Sequence, residues 1–116
     1  MATWICSDSW QDQMAQFRAV RDVGFDTYYW AHHYLIHPYQ HVQKLPVLVG
    51  LTAEPGDMKL ATSVLLLPLL KPADVAEQVA TLDHISEGRL ILGLGLDYRP
   101  EECEAFVSKT FQKGCP

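Results

Sequence analysis

Four histidines, His32, His33, His37 and His41, fall within ten residues of one another. Imidazoles exchange protons near neutral pH, so this stretch could donate or accept a proton in a reaction, or hydrogen-bond a bound anion. The same residues could equally do no more than pack and cap a loop. A metal site is a third alternative. Adjacent His32 and His33 point in different directions on regular backbone, and no carboxylate or cysteine lies among the four at a ligand spacing, so no metal is expected. A second group is Leu92-Gly93-Leu94-Gly95-Leu96, where small residues would let a planar cofactor or a phosphate approach the backbone. Tyr98 occupies the place of the third glycine in the dinucleotide-binding fingerprint, so that fingerprint is not met, and two glycines also describe a tight turn. The third is Ser63-Val64, inside an apolar run, where the residues alone suggest a buried strand serine bonded to backbone.

These residues need elements to hold them. From Ser9 to Val23 the apolar Trp10, Met14, Phe17, Val20 and Val23 recur at three- and four-residue spacing, which predicts an amphipathic helix stopped by Gly24. Phe25 to Trp30 reads as a strand, and Ala31 to Gln43, with neither period, as a loop after it. Pro46 to Ala53 is expected to form a short helix ended by Glu54-Pro55-Gly56-Asp57, and Lys59 to Leu67 a buried strand. Pro72 opens a helix through Ser86 with Gly88 as its stop. Leu90 to Leu94 is another strand, and Asp97 to Phe106 begins a further helix with an acidic first turn. Strands alternating with helices across short connections call for parallel pairing and an α/β class. The periodicity leaves a barrel and an open doubly wound sheet equally open, but both place function at the C-terminal ends of strands, where the histidine loop and Gly95 fall.

Composition narrows the function classes. The chain has 116 residues, 48% of them hydrophobic and 20% charged, the balance of a folded domain. A formal net charge of −5 without a Lys/Arg cluster argues against nucleic acid or anionic lipid as a partner. Leu60 to Leu70 falls well short of the roughly 20 apolar residues of a membrane span. With no signal-like start, a cytoplasmic location is expected. Cys6, Cys103 and Cys115, without a Cys-x-x-Cys pair, are expected to be free thiols.

Three segments, Ala61 to Pro72, Ala76 to Gly95 with its Leu82-Asp83-x-x-Ser86-x-Gly88-Arg89, and Tyr98 to Glu102, closely resemble the luciferase-like monooxygenases, and the resemblance extends over residues 10–106. It implies a (β/α)₈ TIM barrel of which this chain carries about three to four βα units in one domain, 1–116. By this resemblance the chain is expected to come from a flavin-dependent monooxygenase that uses reduced FMN or a deazaflavin and O₂ on a small organic substrate. His32 and His33 match the family's histidine pair beside the flavin ring, of which one assists proton movements. Ser63 and Val64 match the strand end where many relatives hold a non-prolyl cis peptide against the isoalloxazine. Gly95, Asp97 and Tyr98 match the end of the fourth strand, bordering the flavin and its ribityl chain.

The sequence also departs from the family. Asp97 stands where relatives often have glycine, Cys103 replaces a usual aromatic and Val107 a usual glycine. Thr3 to Ser7 matches the family's first strand poorly. Because such a barrel normally needs about 250 residues, the chain is expected to lack the C-terminal half, and activity of the chain alone is left open. Three alternatives follow: a piece of a monooxygenase, a half-barrel that binds flavin after forming a homodimer, or a nonenzymatic remnant or interaction module.

Overall fold

A computed structural model describes residues 9–35, 42–96 and 99–106. Its elements alternate: α1 (Trp10–Asp22), β1 (Thr27–Trp30), α2 (Lys44–Thr52), β2 (Lys59–Leu66), a 3₁₀ turn (Leu67–Leu69), α3 (Pro72–Ile85), β3 (Leu90–Gly95) and α4 (Pro100–Phe106). The strands form one parallel sheet in the order β1-β2-β3. This is the α/β architecture of a partial TIM barrel. The expected first strand at Thr3 to Ser7 lies outside the described residues.

Local chemistry sets the boundaries. The Ser9 side chain caps α1 by accepting from the Asp12 N–H at 3.1 Å, and Gly24, at φ 90°, turns the chain toward β1 through a left-handed conformation that side chains resist. Pro72 opens α3, where its missing N–H costs nothing. Two boundaries differ from expectation. Helix α2 starts at Lys44 rather than Pro46, because proline tolerates the first turn as well as the first residue. Strand β2 ends at Leu66, and Leu67-Pro68-Leu69 tightens into the 3₁₀ turn, with the Leu70 N–H donating to the Leu67 carbonyl at 3.0 Å.

One core lies between the helices and the sheet, built from Phe17 of α1, Leu48 and Leu51 of α2, Leu60 of β2 and Leu82 of α3, with Trp30 closing its upper end. Phe17 meets Tyr28 edge-on at 5.2 Å between ring centres. Beneath the sheet, charged groups lock the N-terminal side. Arg18 grips Glu54 with two hydrogen bonds of 3.0 and 2.7 Å, which hold the Glu54 carboxyl below the usual carboxylate range, and Arg21 adds a third at 3.2 Å. Arg89, from the Gly88-Arg89 of the family-like segment, donates to the carbonyls of Thr52 at 2.7 Å and Gly56 at 3.2 Å. It thereby closes the C-terminal end of α2, whose last carbonyls have no helical partners.

The ladder between β2 and β3 is irregular. Thr62 pairs with Leu92 but Leu65 pairs with Leu94, so two residues of β2, Ser63 and Val64, sit in the shift. The Thr62 hydroxyl bridges the gap, donating to the Gly93 carbonyl at 2.8 Å while accepting from the Gly93 N–H at 2.9 Å. The expected buried serine is therefore corrected: Ser63 is exposed, and the buried hydroxyl that satisfies backbone is that of Thr62. Cys103 corrects a second expectation. It is disulfide-bonded, not a free thiol, with its partner outside the described residues.

A Cβ on Gly93 would collide with the Thr62 carbonyl, which is backbone and cannot swing aside. Gly93→Ala is therefore expected to lower stability by about 1–3 kcal/mol, the usual cost of overpacking, read as a lower urea midpoint with an unchanged slope.

Candidate active site

The C-terminal ends of the three strands carry the residues singled out by type. β1 ends at Trp30, and the chain then presents His32, His33 and Tyr34. β2 is twice as long as β1, eight residues against four, so its pairing with β1 stops at Thr62 and the backbone beyond lacks a strand on that side. Two side chains take over. His32, 5% exposed, accepts at Nδ1 from the Leu66 N–H at 3.2 Å. Lys44, in the first turn of α2 and 1% exposed, donates from Nζ to the Val64 carbonyl at 2.7 Å.

The peptide bond between Ser63 and Val64 is cis, as the resemblance implies for this position. Val64 turns its side chain toward Gly95 of β3, so closely that a Cβ there would overlap a Val64 methyl group. Ser63 and Val64 are both exposed on the open side of the strand end. Gly95 thus leaves the room that the Val64 methyl groups occupy, and the two residues pack together as an apolar contact at the open end of the sheet.

His33 has different surroundings from His32. Its Nδ1 lies 3.4 Å from Oε1 of Glu102 in α4, a carboxylate with no solvent exposure. Arg99 Nη1 donates to the same oxygen at 3.1 Å and lies 3.5 Å from the Tyr34 carbonyl, and the Tyr34 ring packs on Phe106 at 4.3 Å between centres. Burial and the Glu102 charge both push the Tyr34 phenol up. The other Glu102 oxygen, Oε2, is buried without a hydrogen-bond partner among the described residues. The histidine loop is therefore strapped to α4 by an ion cluster and a ring contact. His33 sits at the open end of the sheet, its imidazole lying beside a buried acid.

Of the residues marked by the sequence, the structure brings His32, His33, Ser63, Val64 and Gly95 to one end of the sheet. Asp97 and Tyr98, like His37 and His41, lie outside the described residues. Two residues that shape the site were missed. Lys44 reads in sequence as an ordinary solvated lysine before a helix. Glu102 reads as one acid of an acidic first turn, and only the adjacent Arg99 hinted at a pairing.

A scan of protein-family models matches residues 2–113 to the luciferase-like monooxygenase model. The chain belongs to this family. Among solved structures, this luciferase-like chain is similar to the oxygenating constituent of 3,6-diketocamphane monooxygenase from the CAM plasmid of Pseudomonas putida, a type II Baeyer-Villiger monooxygenase in complex with FMN. The TM-score is 0.76 at 20% identity, over 90% of this chain and 30% of that one. The likeness establishes a shared fold, and the chain spans 30% of the length of that neighbour. No curated protein matches the chain. Among the described residues of this family member, no helix is long and apolar enough to cross a membrane.

Burial lowers the Lys44 amine from 10.5 to about 7. Between those two values the unfolded chain holds a proton that the folded chain has released, so stability rises with pH across that window. The wild type is expected to gain on the order of a few kcal/mol relative to Lys44→Met between pH 7 and pH 10, measured as the difference in urea unfolding free energy at the two pH values.

Proposed function

We propose that this chain is the cofactor-facing part of a flavin-dependent monooxygenase that uses reduced flavin and O₂ on a small organic substrate. The observation that carries the proposal is the juxtaposition of the apolar Val64–Gly95 contact with His33, beside the fully buried Glu102, at one end of a parallel sheet. Family membership and the FMN in the neighbouring structure support FMN as the cofactor, with a deazaflavin as the alternative.

The residues present fit the ring system of such a cofactor. A planar heterocycle needs an apolar surface to lie against, and the Val64 side chain packed over Gly95 offers one. The flavin would supply the redox chemistry, and the protein's share is to orient, exclude water and move protons. Here His33, lying 3.4 Å from the buried Glu102 carboxylate, is the proton-handling residue. His32 acts on the backbone instead, holding Leu66 in place. Residues 1–116 would form one portion of a barrel domain, and the remaining strands would supply the substrate pocket.

A half-barrel that binds flavin as a homodimer is the second reading. It is favoured by β3, where Ile91, Leu92 and Leu94 are exposed and could be covered by another copy.

Titrating the purified chain with FMN, and separately with the deazaflavin counterpart, tests the proposal by cofactor fluorescence. Saturable binding is expected with one of them, weakened at least about tenfold, or about 1.4 kcal/mol, in Gly95→Leu, where a side chain would push Val64 out of its place. A cooperatively folded chain that binds neither removes the proposal. A melting temperature that climbs with protein concentration would identify the dimer.

A further inference from the structure

Lys44 is a basic residue placed where little water reaches it. Its Nζ donates to the carbonyl of Val64, the residue that packs over Gly95, and the lysine is buried while Val64 is exposed. That carbonyl lies past the end of the β1 ladder, so no strand partner can serve it from that side. A buried carbonyl left unpaired costs about 1–3 kcal/mol, and an amine on a helix start is long enough to reach it.

The surroundings are not those of a packing lysine. A cavity of about 280 Å³ lies beside Lys44, between α2, β2 and α3. Its other titratable groups are His32 and Tyr34 beyond β1, and Lys71 and Asp74 at the start of α3. Space next to the amine means that close packing does not fix the strand end. The hydrogen bond does so.

We propose that Lys44 is a positioning residue for the flavin site: by holding the Val64 carbonyl, it sets the position of the Ser63–Val64 strand end against which the ring would lie. The inference rests on the flavin reading given above. Lys44 touches neither flavin nor substrate, and it acts only through Val64.

The test compares FMN dissociation constants of the full chain and four variants, each first shown to melt cooperatively. Lys44→Met removes the donor, Lys44→Arg keeps one within reach, and Val75→Ala enlarges the same cavity from α3 without touching Val64. Gly95→Leu reports on the Val64–Gly95 contact itself. Lys44→Met is expected to bind FMN about tenfold more weakly, the loss that follows from removing one hydrogen bond. Lys44→Arg should stay within about threefold of wild type, and Val75→Ala should lose stability with little change in affinity. Should Lys44→Met fail to fold, Lys44→Gln, whose amide stops short of Val64, takes its place. Unchanged affinity in the donor-less variant overturns the proposal, as does an equal loss in Val75→Ala, which would tie affinity to stability alone. If wild type binds FMN and Gly95→Leu does not, while the Lys44 variants bind normally, only the role of Lys44 falls. If wild type binds no flavin, the flavin reading falls first and the role of Lys44 falls with it.

Discussion

The mismatch in length between β1 and β2 is the constraint from which the site follows. A central parallel strand must find partners for its backbone groups on both sides, because buried N–H and C=O groups are costly when unpaired. β1 supplies partners only as far as Thr62, and the register with β3 breaks at the same point. The protein answers with side chains: the Thr62 hydroxyl on one flank, His32 and Lys44 on the other. The result is a strand end whose backbone is fixed while Ser63 and Val64 stay exposed. Binding surfaces need that combination, since an open surface held by loosely packed loops would lose affinity to the entropy of ordering them.

The two ends of the sheet divide the work. At the N-terminal side, Arg18 and Arg21 with Glu54, and Arg89 with the carbonyls of Thr52 and Gly56, tie helices to turns. Ser86, completely buried, donates to the Asp83 carbonyl at 3.1 Å as α3 ends. The long family-like segment from Ala76 to Gly95 is thus mostly a structural signature, whose serine and arginine brace the underside and whose last glycine alone reaches the candidate site. Among barrels of this type such a separation is general, with stability at one face and chemistry at the other.

Much of this was legible in the sequence, and the failures share a cause. Element order and type follow from apolar spacing and from Gly24, Pro72 and Gly88, because helix stops and strand runs are local properties. The position of His33, Val64 and Gly95 at one end of the sheet follows from strands that are parallel. Burial of charge is not local. Nothing near Lys44 in sequence announces that the carbonyl needing it lies twenty residues away, and Glu102 looks like any acid in a first helical turn until α4 folds over His33. The same limit explains why Thr62 was passed over for Ser63: a one-step shift in register exchanges the buried hydroxyl for the exposed one. The disulfide at Cys103 was likewise not revealed by cysteine spacing alone.

β3 gives the sheet a property that none of its side chains has singly. Ile91, Leu92 and Leu94 of β3 are exposed, and no strand among the described residues pairs with its outer edge. Geometrically this is a growth front: a further strand could dock on it in parallel without disturbing the three already in place, because everything that fixes Val64 lies on the inner side.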